Sequence, residues 1–327
     1  MTTDPVPPQW ERSVLEKVAL KALDEQRRAR QWSVLFKLLW FAFFFLIFAA
    51  WMGWFGRPDK DSLSSGSGAT GRHTAVVNLE GVIGIESKAS AEKVMKGLNR
   101  AFKDANTAGV ILRINSPGGS PVQAGIINDE IRRLRAKYPN IPLYAVIQDL
   151  CASGGYYVAV AADRIYVDKA SLVGSIGVII SSFGFVDTMK KLGVERRAYH
   201  AGENKDFLDP FAPENPVHKE HAQKMLGEIH QQFIDVVRKG RGTRLKENPD
   251  IFSGLIWTGE KSVELGLADG LGGLDYVARE VIKAEKVVDF SPRENVFERF
   301  SERLGATFGE SVGRAALDAA AGAAGVR

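Results

Sequence analysis

The chain has 327 residues, 45% hydrophobic and 25% charged, the balance of a globular protein with room for one sizeable domain or two ordinary ones. Its net charge of +4 is not gathered into a dense Lys/Arg block with interleaved aromatics, so nucleic-acid binding is not indicated. Its one cysteine, Cys151, excludes an intrachain disulfide without settling the compartment.

Residues 1–31 are polar and charged, with Trp10, Val14, Val18 and Ala22 at the spacing of a short amphipathic helix; a solvated basic lead-in fits equally well. Residues 32–55 form an aromatic-rich apolar run. From Leu38 to Phe55 there are 18 residues without a charge, and extending past Lys37 to Val34 makes 22. A bilayer core needs about 20. Trp32, Trp40, Trp51 and Trp54 suit interfacial belts, and Lys37 can snorkel. The run is too long and starts too late for a cleaved signal peptide, so a transmembrane anchor is expected. Lys17, Lys21, Arg27, Arg28 and Arg30 precede it, against Arg57, Lys60 and Arg72 after it. That asymmetry puts the N-terminus in the cytoplasm and the bulk of the chain outside it, in a bacterial periplasm. Residues 56–72 read as a flexible tether. Its Gly66-x-Gly68-x-x-Gly71 matches a dinucleotide fingerprint only formally, since no strand precedes it.

From His73 the pattern alternates. Strands are expected at Thr74–Leu79, Val110–Ile114, Leu143–Ile147 and Arg164–Val167, around Ile179, and at Arg197–Tyr199. Helices are expected at Ala89–Phe102, Val122–Lys137, Tyr157–Ala162, Val186–Leu192 and His218–Arg241, the last with Met225, Ile229, Phe233 and Val237 as its packing stripe. Residues 251–287 close the domain as strand, turn and helix. The order predicts an α/β domain with parallel strands over 73–287, and residues 288–327 read as a tail or an oligomer contact.

Two glycine-rich turns lie just past strand ends, where sites gather in such sheets. They are Asn115–Ser120 (N-S-P-G-G-S) and Cys151–Tyr157 (C-A-S-G-G-Y-Y). Ser153 stands where strand becomes helix, followed by Gly154 and Gly155. Helix-opening N–H groups there can hold an oxyanion, which makes Ser153 a candidate nucleophile. The plain alternative is an N-cap serine. The G-x-S-x-G elbow is not matched, because Cys151 replaces its first glycine. Cys151 itself reads as a small buried hydrophobe rather than a nucleophile.

A serine hydroxyl needs a base. Of the five histidines, His73 sits at the linker edge, His218, His221 and His230 lie on the long helix, and His200 is the one loop candidate. A lysine serves equally if burial brings its pKa down from about 10.4. Lys205 is the candidate, with Phe207, Leu208, Pro210 and Phe211 nearby to exclude water; taken alone, a solvated loop lysine is the plainer reading.

Together these motifs resemble the signal peptide peptidase A family of membrane serine proteases, in its short single-domain form. The resemblance runs from about Val76 to Val287. It rests on Asn115–Gly119, Cys151–Tyr157, V-G-S-I-G-V at Val173–Val178, and Lys205 with Pro210-Phe211. It implies a Clp protease/crotonase fold and a Ser/Lys dyad, with Ser153 as nucleophile and Lys205 as general base. Ser175 would orient the lysine. Gly154, with Gly118 or Gly119, would form the oxyanion hole. It implies no cofactor or metal, peptide substrates at the membrane such as spent signal peptides, and a ring oligomer, an octamer, whose serine and lysine come from adjacent subunits. The rivals are a crotonase-like acyl-CoA enzyme, against which the anchor argues, a non-catalytic membrane scaffold, and a related membrane protease cutting intact membrane proteins.

Overall fold

The computed structural model describes residues 30–48, 64–65 and 71–292. The helical periodicity expected within residues 1–29, Trp51 and Trp54, most of the tether and residues 293–327 lie outside the described residues. The chain divides into two compact units, Met1–Ser62 and Leu63–Arg327. In the first, helix α1 spans Arg30–Phe48 and is long and apolar enough to cross a membrane, with none of its apolar window buried. Its aromatic side chains pack along its own surface, Trp40 on Phe44 at 5.0 Å and Trp32 on Phe36 at 6.0 Å between ring centres.

The second unit is an α/β domain around a nine-stranded sheet. Its elements, in chain order, are β1 (Ser64–Ser65), β2 (His73–Glu80), α2 (Ala91–Lys103), β3 (Thr107–Ser116), α3 (Pro121–Lys137), β4 (Leu143–Ala152), α4 (Gly154–Ala159), β5 (Arg164–Val167), β6 (Leu172–Gly174), α5 (Val186–Lys191), α6 (Pro216–Arg241), β7 (Ile256–Thr258), α7 (Gly259–Glu264), β8 (Gly270–Leu271), α8 (Leu274–Tyr276, running on in wider turns to Ile282) and β9 (Val287–Asp289). The strands stand in the order β1-β9-β2-β3-β4-β5-β8, all parallel, and β6 pairs with the end of β4 and antiparallel with β7. Within the expected tether, Ser64–Ser65 therefore forms an edge strand on Val288–Asp289.

The central strands are apolar on both faces because both faces are covered. Val77, Leu112, Ile114 and Ala145 pack against Leu98 of α2, Ile127 and Ile131 of α3 and Phe233 and Val237 of α6. Val76, Ile111 and Val146 face Val277 and Ala278 on the other side. Helix starts follow capping chemistry. Ser90 accepts from the Lys93 amide, Ser120 from Gln123, and Asn215 from Val217, with proline opening both α3 and α6.

Two expected strands do not form. The run around Ile179 and the stretch Arg197–Tyr199 have no regular structure. Their residues have strand propensity but no neighbour to pair with in this chain: Ile179 is 82% and Tyr199 93% exposed.

One buried ion pair anchors the floor beneath α4. Arg241, 2% exposed, donates to both carboxylate oxygens of Asp269 at 2.7 and 3.0 Å and to the Gly266 carbonyl at 2.7 Å. Asp269 also accepts from the Ile165 amide at 2.7 Å. Burial pushes the Asp269 carboxyl up, but the Arg241 hydrogen bonds and charge outweigh it and hold it below the usual carboxylate range. The adjoining Leu267 carbonyl accepts from the Tyr156 hydroxyl at 2.8 Å, which fixes α4 from below.

Candidate active site

Strand β4 ends at Ala152 and α4 begins at Gly154, so Ser153 alone makes the turn. Its backbone sits at φ 52° and ψ −123°, and its side chain makes no capping hydrogen bond. The N-cap alternative is therefore not the role this side chain takes. A non-glycine residue held at such angles costs roughly 1–3 kcal/mol and persists only where its surroundings impose it. Here the Ser153 amide donates to the Gly174 carbonyl at 2.9 Å. The next residue, Ser175, has φ 51°, and its amide donates to the Leu255 carbonyl at 2.7 Å. The register that pairs Ala152 with Gly174 carries both serine turns on neighbouring strand ends, and both side chains are half-buried.

The glycine turn after β3 closes over Ser153. A side chain has no room at Gly118: a Cβ there would lie 2.6 Å from the Gly154 nitrogen and 2.8 Å from the Ser153 Cβ. At Gly119 a Cβ would collide with the Ile83 carbonyl oxygen. Gly118 donates to Ser116 Oγ at 3.1 Å, and its carbonyl accepts from Ile83 at 2.8 Å. Among the described residues, neither the Gly119 nor the Gly154 amide donates to a protein acceptor. These two amides are neighbours, since a Cβ on Gly154 would lie 3.3 Å from the Gly119 nitrogen. Two neighbouring free N–H groups beside a half-buried hydroxyl suit the binding of a developing oxyanion.

Lys205 lies outside this cluster's set of contacts. It is exposed, its amide closes a turn on the Gly202 carbonyl at 3.1 Å, and its side chain makes no hydrogen bond or ion pair among the described residues. The aromatics expected to shield it point elsewhere. Phe207 packs on His218 and His221, and Phe211 stacks on Phe185 at 5.3 Å. The loop is pinned instead through Asn204, whose Oδ1 lies 3.1 Å from Nε2 of buried His218. His230 contacts the Ile176 carbonyl at 3.1 Å, while His200 and His221 are exposed. Cys151 is fully buried in the core, and that burial pushes its thiol well up, away from the reactive thiolate.

Ser116, Ile83, Asn204 and His218 shape these turns and were not singled out from sequence as site residues. For Ser116 the available signal was a hydroxyl two residues before a glycine amide, the spacing of a side-chain turn. Among the described residues, no group of three His, Cys, Asp or Glu side chains is placed to hold a metal.

Residues 135–288, which include Ser153, Ser175 and Lys205, match the model of peptidase family S49. The chain is 49% identical over 177 residues to a Na(+)/H(+) antiporter NhaA of Brucella melitensis biotype 1, covering 54% of this chain and 24% of that protein. It is 31% identical over 215 residues to the putative protease MJ0651 of Methanocaldococcus jannaschii, covering 64% and 68% of the two chains. It is 28% identical over 230 residues to a putative signal peptide peptidase SppA of Enterococcus faecium, covering 68% and 66%. The chain thus spans about a quarter of the Brucella protein and about two thirds of the other two. The matched region, its parallel sheet and the serine turn at the end of β4 agree with one assignment: the chain belongs to peptidase family S49.

Proposed function

We propose that this protein is a membrane-anchored serine endopeptidase with a Ser153/Lys205 dyad, acting on cleaved signal peptides and other peptides left at the membrane. The observation that carries the reading is Ser153 itself. It is held at positive φ, freed from any capping bond, beside the unengaged Gly154 and Gly119 amides. The substrate class follows the name of the Enterococcus relative. Helix α1 would anchor the chain in a bacterial inner membrane, N-terminus in the cytoplasm and protease domain outside, by the charge asymmetry of its flanks.

The chemistry follows from the groups. Neutral Lys205 takes the Ser153 proton as Oγ attacks a peptide carbonyl. The carbonyl electron pair moves onto oxygen, where two backbone N–H groups receive it. Collapse breaks the C–N bond, and the lysinium gives its proton to the leaving amine. Water then attacks the acyl ester, passing a proton back through Lys205 and releasing Ser153. Ser175 would orient the amine.

A lysine base has to be shielded from water to be neutral near pH 7, yet Lys205 is exposed in one chain. This favours completion of the dyad by a neighbouring copy, in the ring, an octamer, that the resemblance implies. The same is supported by α5, which buries none of its residues, and by the exposed Ile179, Phe183, Leu192 and Tyr199 around it. The related function of cutting intact membrane proteins would use the same machinery.

The test is covalent. A fluorophosphonate probe should label the detergent-solubilised protein once per chain, on the peptide containing Ser153. Labelling should vanish in Ser153→Ala and slow in Lys205→Ala. Labelling that persists in Ser153→Ala would overturn the reading.

A further inference from the structure

We infer that Ser116 is a positioning residue that selects which glycine amide faces the oxyanion: it takes the Gly118 N–H out of use and leaves that of Gly119. The inference rests on the reading of Ser153 as nucleophile and deepens it. The buried Ser116 hydroxyl works in two directions. It donates to the Gly81 carbonyl at 2.7 Å and accepts from the Gly118 amide at 3.1 Å. The Gly118 carbonyl is engaged as well, by the Ile83 amide at 2.8 Å, and the Ile83 carbonyl then accepts from Ser120 at 2.9 Å.

Gly118 is thus tied at both of its polar groups, at φ 96°, with Gly119 following at φ 143°. A residue bridged on both sides by one partner turns its own N–H away from that partner. The bridge between Ile83 and Gly119 does this to Gly119. Its nitrogen lies close to Gly154, 3.3 Å from where a Cβ there would stand, and its N–H keeps no protein acceptor among the described residues. Had Ser116 Oγ been absent, the Gly118 amide would compete for the same anion, and the Pro117–Gly118 peptide that carries it would be free to rotate. Such rotation is costly to catalysis because an oxyanion hole acts through donors fixed before the charge develops. The same hydroxyl ties Gly81 to the end of β3, so the 81–84 segment and the glycine turn are held as one piece.

The test compares Ser116→Ala and Ser116→Thr with wild-type full-length protein in detergent. A peptide-amide substrate, a peptide aldehyde and the unreactive product peptide serve as probes. The aldehyde reacts by forming a bond from Ser153 Oγ to its carbonyl carbon, the hydroxyl proton going to the base and the π pair to oxygen. Ser116→Ala should lower kcat roughly tenfold to a hundredfold and weaken the aldehyde by the same factor. KM and product-peptide affinity should stay within about twofold, the sign of an interaction made only in the transition state. Ser116→Thr, which keeps the hydroxyl, should restore kcat. Unchanged kcat in Ser116→Ala, or a parallel loss of product-peptide binding, would overturn the inference.

A structure of the wild-type aldehyde adduct decides the matter without any variant. The adduct oxygen should lie about 2.7–3.1 Å from the Gly119 and Gly154 nitrogens, with the Gly118 amide still on Ser116. A Gly118 amide turned onto the adduct oxygen would refute it while leaving Ser153 as nucleophile. An adduct on any residue other than Ser153 would instead remove the underlying reading.

Discussion

The amide of Ser153 donates to the carbonyl of Gly174 at 2.9 Å, so one hydrogen bond joins the turn of one positive-φ serine to the residue before another, Ser175. The strain at Ser153 is imposed by this joint from one side and by Gly118 from the other. Strain of this kind is separable from function by experiment.

Ser153→Gly should therefore be inactive, with kcat down by roughly 10³-fold or more, and yet more stable by about 1 kcal/mol, because glycine adopts φ 52° without penalty. Urea unfolding of the two proteins side by side gives the comparison. A destabilised glycine variant would mean that the serine side chain holds the turn rather than suffers it.

Gly118→Ala places a carbon 2.6 Å from the Gly154 nitrogen, so the turn must open. Activity should fall by roughly 10²–10³-fold, the loss of one oxyanion donor. Gly125→Ala is the matched control: it lies within α3 with nothing within 4 Å of the added carbon. It should raise stability by about 0.5–1 kcal/mol and leave activity alone.

Arg241→Met leaves the buried Asp269 carboxylate with Arg244, 40% exposed and 3.1 Å away, as its remaining cationic partner, a loss at the low end of about 3–5 kcal/mol. The pH dependence has a fixed sign. Because the folded state holds the Asp269 carboxyl low, its contribution is complete above the unfolded carboxylate value of about 4 and fades as pH falls through the lowered folded value. The stability gap between wild type and Arg241→Met should therefore be full at pH 7 and narrow in acid. A gap that widened below pH about 4 would contradict the assignment.

Cys151→Ala should keep full activity at a cost of about 1 kcal/mol from a small cavity. The native thiol should resist iodoacetamide at pH about 8, because burial disfavours the thiolate. Rapid alkylation with matching loss of activity would make Cys151 a participant.

Much of this was legible in the sequence where a residue's role depends on its neighbours along the chain. The strand at Arg164–Val167 and the helix ending at Lys137 follow from periodicity and caps. Ile179, Ile180 and Tyr199 misled, because β-branched and aromatic residues form strands only where a partner strand exists, and here they face solvent. The glycine turn was readable as an anion site, but not which amide it offers. That depends on the Ser116 hydroxyl and on Ile83, whose amide reaches the Gly118 carbonyl across the fold. The surroundings of Lys205 were read as apolar from adjacent residues, whereas Phe207 and Phe211 turn to α6 and to Phe185.

The dyad between two chains is tested most directly by mixing. Ser153→Ala and Lys205→Ala proteins, each inactive alone, are dissociated, combined and reassembled, with subunit exchange verified by native mass spectrometry on tagged copies. Peptidase activity that returns in the mixed assembly is the result predicted, since some interfaces then pair an intact serine with an intact lysine. A mixed assembly that exchanges fully and stays inert, or a Lys205→Ala protein as active as wild type, would contradict it.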